Sequence, residues 1–235
     1  MAHSEELKYS ENTIPYKNIP SRNHKECCVR CKVFSMYNRF DVNYIANNGM
    51  THLHVACHLG RVDIVRKCLI RGADPNIVST IKGYSTLHFL LTAKCNSKTT
   101  LQRRQLFSLL MKSGANPNLT DDKGRTPLHV VCKKPAKSPV NSIHPSSDWF
   151  LAKMIFSLCH EKYKPVQVNA RDREGNTPLH LALKTGNRIM VPWLLKNGAD
   201  SSLPDPDGVV PKDIIRDEDL AKIFLEKCAV KPSSS

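Results

Sequence analysis

Apolar residues recur every three or four positions in five segments of the chain. In an α-helix this spacing places the apolar side chains along one face, so each segment is predicted to be an amphipathic helix that buries one stripe. Pro192 lies inside the fourth segment, and we expect it in the first turn or at a bend. The five segments begin at Val62, Leu101, Ser146, Arg188 and Asp217.

A second pattern precedes each of these segments. The stretch "GRTPLHVVC" from Gly124 is nearly repeated by "GNTPLHLAL" from Gly175, and related stretches begin at Gly49 and Gly83, with a degenerate one at Gly208. The five glycines are separated by 34, 41, 51 and 33 residues. These intervals indicate an internal repeat of about 33 residues that carries two insertions.

The residues of one unit predict its local structure. Residues 121–124, "DDKG", are typical of a tight turn, in which glycine takes the left-handed conformation. Thr126 then supplies a hydroxyl that can cap a helix, and Pro127 occupies the first helical position. Thr177, Ser85 and Thr51 provide the same hydroxyl in the other units. The predicted core consists of Leu53, Val65, Leu69, Leu87, Leu109, Leu110, Leu128, Ile155, Leu158, Leu179, Leu194 and Leu195.

The second helix of a unit is followed by "GADPN" from Gly72, "GANPN" from Gly114 or "GADSS" from Gly198. In this order and at these offsets, the pieces resemble the ankyrin repeat family. The resemblance implies an all-α fold, a solenoid of stacked helix-turn-helix units with projecting β-turn or hairpin loops. The sequence departs from the family pattern at Ala46 and Thr80, which lack the turn aspartate, and at residues 160–168, where we expect an irregular junction.

The resemblance also sets the expected domain limits. Residues 1–26 are predicted to form a flexible tail, residues 27–228 the repeat domain, and residues 229–235 a second tail. Within the domain we expect a partial unit at 27–45, units at 46–79, 80–120, 121–170 and 171–204, and a capping unit at 205–228. Lys212 and Asp213 replace the motif leucine and histidine in this last unit, as a terminal unit with a polar outer face requires.

Composition indicates the cellular compartment of the protein and the chemical state of its cysteines. The chain has 235 residues and 40% hydrophobic residues, without an apolar run of membrane-spanning length or a secretion signal at its start. Its nine cysteines are an odd number, and several occupy equivalent repeat positions, which favours reduced, buried thiols. We therefore expect a cytoplasmic protein without membrane attachment. "KKPAK" from Lys133 leaves entry to the nucleus open.

Histidines and cysteines offer two metal-site hypotheses. His54, His88, His129 and His180 recur in register, but successive units lie about 10 Å apart, so these rings cannot share one ion. In the related family this histidine bonds the turn and the helix start. The cluster His24, Cys27, Cys28 and Cys31 lacks the second separated pair of a zinc finger, although zinc there remains an alternative to a helix in the opening unit. We expect no cofactor, no metal and no catalytic residue, and therefore not an enzyme.

The net charge is +14, and residues 75–147 contain eleven Lys or Arg against two acids. Both insertions follow the first helix of a unit, at Thr92 and Lys133, so stacking would place them side by side. They predict a positive rim that steers an acidic partner, with a merely solvated loop as the alternative. Direct nucleic-acid binding is disfavoured because only 6% of residues are aromatic. The rim consists of Lys94, Lys98, Arg103, Arg104, Lys133, Lys134 and Lys137.

The family resemblance implies a protein partner, bound by the turn tips and the exposed side of the inner helices. We expect a monomeric adaptor or competitive inhibitor in signalling or transcription-factor regulation. Alternatives are that the basic insertions bind acidic partners or nucleic acid, or that the chain is a subunit or fragment of a larger scaffold. The candidate contact residues are Asn47, Asn48, Met50, His58, Ile81, Lys82, Tyr84, Thr92, Asp122, Lys123, Arg125, Lys133, Lys134, Arg173, Glu174, Asn176 and Lys184.

Overall fold

The computed structural model describes residues 49–93, 100–134, 147–205 and 207–229. Several predictions concern residues outside these ranges: the N-terminal tail, the partial unit at 27–45, most of both insertions and nearly all of the C-terminal tail. Asn47, Asn48 and the candidate zinc cluster His24, Cys27, Cys28 and Cys31 also lie outside the described residues.

The described ranges contain ten α-helices and no β-strand. The helices are α1 His52–Leu59, α2 Val62–Ile70, α3 Thr86–Thr92, α4 Thr100–Lys112, α5 Pro127–Cys132, α6 Ser147–Ser157, α7 Pro178–Lys184, α8 Met190–Lys196, α9 Pro211–Ile214 and α10 Glu218–Ala229. A short 3-10 helix, Glu161–Tyr163, follows α6. All five amphipathic segments form helices, and Pro192 is the third residue of α8, within its first turn as predicted.

The helices stack in two layers. The odd-numbered helices α1, α3, α5, α7 and α9 pack in sequence order as an inner layer. The outer helices α2, α4, α6 and α8 each pack on the inner helix of their own unit, and α10 packs on α8. Each unit therefore buries its apolar stripe against its neighbours rather than in a core of its own. This arrangement confirms the predicted all-α solenoid.

The inner helices α1, α3, α5 and α7 begin at the predicted hydroxyl caps. In α7, the Thr177 side chain accepts the backbone N–H of His180, and the His180 ring bonds back to Thr177. Pro127 and Pro178 occupy first-turn positions. The same reciprocal capping is present at all four starts, which confirms the caps and the structural part played by the histidines.

Three motif histidines also form hydrogen bonds beyond their own helix, and two of these bonds cross to the next unit. The Nδ1 atom of His54 accepts the backbone N–H of Thr51, so Nε2 carries the proton and donates to the Ile77 carbonyl at 2.9 Å. His88 and His129 reach carbonyls of the following units at 2.8 and 3.1 Å. Burial lowers the pKa of His54 to about 4, so its ring is neutral near pH 7.

The motif leucines Leu53, Leu87, Leu128 and Leu179 are buried, as predicted. The predicted core residues of the outer helices agree less well with the observed burial. Four predicted core leucines are only half-buried: Leu69, Leu109 and Leu195 lie in outer helices, and Leu158 lies directly after the end of α6. The packed face of α4 is formed by Arg103, Leu106, Phe107, Leu110 and Met111.

Asparagine side chains join the loops that follow the outer helices. Asn76 donates to the Gly114 carbonyl and accepts the N–H of Asn116. Asn118 donates to the Tyr163 carbonyl at 2.8 Å and accepts the N–H of Gln167. The segment at 160–168 is irregular, as expected, and it supplies these partners through its 3-10 turn.

Candidate partner-binding site

Buried aspartates hold the turn tips. Asp121 accepts the backbone N–H groups of Lys123 and Arg125, each at 2.9 Å. Asp172 accepts those of Glu174 and Asn176 at 3.0 and 2.8 Å. Because each carboxylate bonds the loop at two points, the tip residues between these points have a fixed backbone.

The backbone of the turn at 79–84 is also fixed by hydrogen bonds, although this turn has no aspartate. Ser79 bonds the Tyr84 carbonyl through its N–H, and its hydroxyl accepts the N–H of Ile81 at 3.0 Å. This turn contains one residue more than the turn at 121–125. Lys82 takes up the extra residue by adopting a left-handed φ of 59°. The sequence pattern placed the missing aspartate at Thr80, whereas the structure gives its role to Ser79.

Neighbouring turns are bonded to each other. The N–H of Asp122 donates to the Lys82 carbonyl at 2.9 Å, and the N–H of Arg173 donates to the Lys123 carbonyl at 2.8 Å. A Cβ atom on Gly83 would lie 2.7 Å from the Asp122 nitrogen, so only glycine permits this approach. The tips therefore form one continuous row across three units.

Tyr84 and Arg125 lie at the base of this row. The Arg125 guanidinium makes two bonds to Asp121, with its Nη2 2.6 Å and its Nε 2.9 Å from Oδ2. Burial opposes the charge on Arg125, but the hydrogen bond and the charge of Asp121 outweigh it and raise the Arg125 pKa. The Tyr84 ring stacks on His88 with centroids 5.8 Å apart and meets Phe89 edge-on at 5.5 Å. Both side chains are thus held in one arrangement and only partly exposed, with 16% of the Arg125 side chain open to solvent.

The tip residues Ile81, Lys82, Asp122, Lys123, Arg173 and Glu174 are exposed. On the inner helices, Thr92, Lys133 and Lys184 are exposed as well, and His58 is half-buried beside Phe89. Lys184 Nζ lies 2.6 Å from the Asn176 side-chain oxygen and 3.7 Å from Asp205. The structure therefore brings these candidates together on the tips and the inner surface.

Two candidates are not available to a partner. Met50 is fully buried, and Asn176 is only 3% exposed. Both follow a turn glycine, where Tyr84 and Arg125 are partly exposed, but the Asn176 amide folds back toward Asp172 and Glu174. The prediction of an exposed contact is wrong at these two positions, because Met50 packs into the hydrophobic core and the Asn176 amide bonds within its own turn.

Two members of the predicted basic rim, Arg103 and Lys134, are bonded within the protein instead of facing a partner. Arg103 is buried, with Nη2 2.8 Å from the Leu91 carbonyl and Nη1 3.1 Å from Asp148. Lys134 bonds the same carbonyl at 2.7 Å and lies 3.6 Å from Asp148. These four groups form a polar clamp that joins the ends of α3 and α5 to the starts of α4 and α6. The spacing of charged residues in the sequence did not indicate that Asp148 lies at the centre of this clamp.

The remaining rim residues divide into three groups. The Arg104 guanidinium lies 3.9 Å from the Phe150 ring centroid, on the outer layer. Lys133 is exposed. Lys94, Lys98 and Lys137 lie outside the described residues. Arg103 and Lys134, two cations of the predicted rim, thus form bonds within the clamp instead of facing a partner.

Across the described ranges, no group of three or more His, Cys, Asp or Glu side chains is placed to hold a metal ion. The same ranges include no helix with the length and apolar character needed to cross a bilayer. Cys57, Cys68, Cys132 and Cys159 are buried free thiols, and burial raises the pKa of each.

Comparison with known proteins gives the family. A family model described as "Ankyrin repeat" matches residues 48–80, and one described as "Ankyrin repeats (many copies)" matches residues 160–214. The chain is 27% identical over 185 residues to the probable 26S proteasome regulatory subunit p28 of Saccharomyces cerevisiae, covering 78% of this chain and 70% of that protein. It is 29% identical over 181 residues to the human transient receptor potential cation channel subfamily A member 1, covering 68% of this chain and 16% of the channel.

It is also 27% identical over 203 residues to the NF-kappa-B inhibitor cactus of Drosophila melanogaster, covering 77% of this chain and 38% of cactus. The matches to cactus and the channel thus span less than half of those longer proteins. Repeats of this kind form a protein-interaction fold that is generally not enzymatic. With its capped inner helices, linked turns and matched repeat models, this chain belongs to the ankyrin repeat family.

Proposed function

We propose that this chain is a non-enzymatic binding module that holds a partner protein against its inner helices and turn tips, as an adaptor or a competitive inhibitor. The observation that carries this proposal is the pair Tyr84 and Arg125, partly exposed and fixed at the base of a bonded row of tips. Tyrosine and arginine are enriched among the residues that dominate binding energy at protein interfaces.

Because the Tyr84 and Arg125 side chains are already held in place, binding a partner costs less conformational entropy. Arg125 is held by two bonds to Asp121, and Tyr84 is held between His88 and Phe89. An interface loses affinity when binding must immobilise flexible side chains, by about 0.5–1.5 kcal/mol for each. Most of that cost is already met within the free protein. A partner would therefore dock on a surface whose shape changes little.

The charge of this face favours a partner with an acidic surface. Its exposed cations are Lys82, Lys123, Lys133, Arg173 and Lys184, against the acids Asp122 and Glu174. The excess of cations would attract acidic groups and raise the association rate at low salt. Nucleic acid is less suited to it, since the aromatic ring here, Tyr84, is packed against His88 and Phe89 rather than open for base stacking.

The names of two relatives support a regulatory role. One is a probable regulatory subunit of the 26S proteasome, and the other is an inhibitor of NF-kappa-B. Both names describe control of another protein rather than a reaction. By analogy we propose that this chain controls a signalling or transcription factor in the cytoplasm or the nucleus. The buried free thiols Cys57 and Cys132 suit either reducing compartment.

Affinity capture tests the proposed face. Wild type, a Tyr84→Ala and Arg125→Ala double variant, and an Arg66→Ala control would each be used to retain proteins from cell extract. Arg66 is an exposed arginine on α2, in the outer layer. We expect partners retained by wild type and by the control to be lost from the double variant, and their retention to weaken as salt rises.

An identical set of partners on all three proteins would refute the proposed face. The double variant needs a check of its fold, because Arg125→Ala leaves the buried Asp121 carboxylate without its ion pair. Circular dichroism and a urea titration provide that check. Tyr84→Ala alone, which keeps the Asp121–Arg125 pair, is the second variant if the double variant unfolds.

A further inference from the structure

The outer layer carries an aromatic surface that the proposed function does not use. Both tryptophans of the chain lie there, Trp149 in α6 and Trp193 in α8. Trp149 meets Phe150 edge-on with ring centroids 5.0 Å apart, and Trp193 meets Phe156 edge-on at 4.8 Å. All four rings are half-buried, so each leaves part of its surface to solvent.

These rings follow a break in the regular stacking. The backbones of α6 and α8 approach each other less than those of α4 and α6. The contact between Phe156 and Trp193 spans the wider space. On the other flank of α6, Phe150 lies under the Arg104 guanidinium of α4 at 3.9 Å. The rings of α6 and α8, together with the Arg104 guanidinium of α4, thus form one surface over three successive outer helices.

The charges on these helices have one sign. Helices α4, α6 and α8 contain the cations Arg103, Arg104, Lys112, Lys153 and Lys196 and one acid, Asp148. That acid is already bonded within the polar clamp by Arg103 and Lys134. The flanking outer helices differ: α2 contains Asp63 beside its cations, and α10 begins with Glu218 and Asp219. The single sign is therefore a local property of α4, α6 and α8.

The remaining cations of this surface are available. Within the part of the chain that the structure describes, Arg104, Lys112, Lys153 and Lys196 form no ion pair. Arg104 lies over Phe150, and the Lys153 ammonium lies 5.8 Å from the Trp149 centroid. A carboxylate that paired with either cation would bring neighbouring apolar side chains against an aromatic ring. We call α4, α6 and α8 with these rings and cations the outer face.

We propose that the outer face is a second binding surface, which takes an acidic segment with apolar side chains from a partner protein. Carboxylates of the segment pair with Arg104, Lys153 and Lys196, and its apolar side chains cover the exposed edges of the rings. Tryptophan, phenylalanine and arginine are enriched in protein interfaces, and charged rims set the choice of partner.

An anionic membrane fits the outer face less well than a protein segment. Interfacial insertion needs apolar side chains that project from the helix, whereas these rings pack against each other. Among the described residues of α4, α6 and α8, Leu101 is the one large apolar side chain that is mostly exposed, at 65%. The outer face lies on the layer opposite the tips and inner helices. Two partners can therefore bind at once, as in an adaptor, and this inference does not rest on the inner-face partner.

A displayed library of peptides of about 16 residues, roughly four helical turns, tests the outer face directly. The library is selected on the whole chain and depleted on a Lys153→Glu and Lys196→Glu double variant. Enriched peptides without tryptophan are then titrated while the emission of Trp149 and Trp193 is followed. Vesicles of phosphatidylserine and a single-stranded oligonucleotide are titrated in the same way.

We expect enriched peptides to be rich in Asp and Glu with interspersed Phe or Leu, and to shift the tryptophan emission saturably. The double charge reversal should weaken their binding by at least about tenfold. Lys67→Glu, on the exposed side of α2, should leave binding within about twofold, as expected for a charge outside the contact. The Tyr84→Ala and Arg125→Ala variant should also bind normally, which separates this surface from the inner one.

Three results would overturn the proposal. One is a library without enrichment over the double variant. Another is enrichment of neutral or basic peptides. The third is a saturable emission shift with vesicles or the oligonucleotide in place of the peptides, which would assign the outer face to lipid or nucleic acid.

Discussion

Replacement of Arg103 by methionine should destabilise the protein strongly without removing a partner contact. The Arg103 side chain is 5% exposed, and Asp148 beside it is 15% exposed. The substitution removes a cation from the polar clamp, so Asp148 and the Leu91 carbonyl lose a donor that water cannot fully replace. Methionine fills much of the same volume and adds no new polar group.

The magnitude follows from the clamp geometry. Removal of one partner from a buried ion pair costs about 3–5 kcal/mol. Lys134 remains within 3.6 Å of Asp148 and 2.7 Å of the Leu91 carbonyl, and it offsets part of the loss. We therefore expect the free energy of unfolding to fall by about 2–4 kcal/mol. This is a large share of the stability of a domain of this size.

Urea titration, followed by circular dichroism and by tryptophan emission, measures this change. Trp149 follows Asp148 directly in the chain and reports the clamp region. Arg66→Met is the matched control, since Arg66 is an exposed arginine in the outer layer, and it should change stability by less than about 0.5 kcal/mol.

If Arg103→Met were as stable as Arg66→Met and instead weakened binding of an acidic partner, the structural account of the clamp would fail. Arg103 would then belong to the basic rim that the sequence predicted. A double-mutant cycle with Asp148→Asn sharpens the distinction. A coupling energy below about 0.5 kcal/mol would show that the two side chains do not depend on each other.

Three further predictions concern the turns, the histidines and the thiols. Gly83→Ala should cost clearly more stability than Gly60→Ala in urea titrations: both have a left-handed φ, worth about 1–2 kcal/mol, but only at Gly83 does the new Cβ meet a neighbouring turn. Because the His54 pKa is lowered from 6.5 to about 4 in the fold, stability should be full above pH 6.5 and fall as the pH drops toward 4, with a shallower fall in His54→Gln. Cys57 and Cys132, which are fully buried with raised pKa values, should resist a thiol reagent at pH 8 until urea unfolds the chain, as checked by mass-spectrometric peptide mapping. Equal costs at the two glycines, a flat pH profile, or rapid labelling of the folded protein would contradict these accounts in turn.

The repeat architecture could be predicted from the residues and their spacing. Thr126, Pro127 and His129 act within a few residues of one another, so their spacing was enough to predict the capped start of a helix. The apolar periodicity likewise located all five outer helices, because the period of a helix is a local property. The irregular junction at 160–168 could also be predicted, since its residues depart from the repeated pattern.

Which polar side chains are free for a partner depends on how the units pack against each other. Arg103 and Lys134 belong to a basic stretch, yet both bond to Asp148, which lies 45 and 14 positions away from them in the chain. Asn176 occupies the same repeat position as Tyr84 but folds inward.

The aromatic surface of α6 and α8 also required the structure. Phe156 and Trp193 belong to different units, and their rings meet only because those units stack side by side. Local propensity and capping act over a few residues, so the sequence displays them directly. The pairing of charges and rings depends on distances between units, and those distances are set only when the units stack.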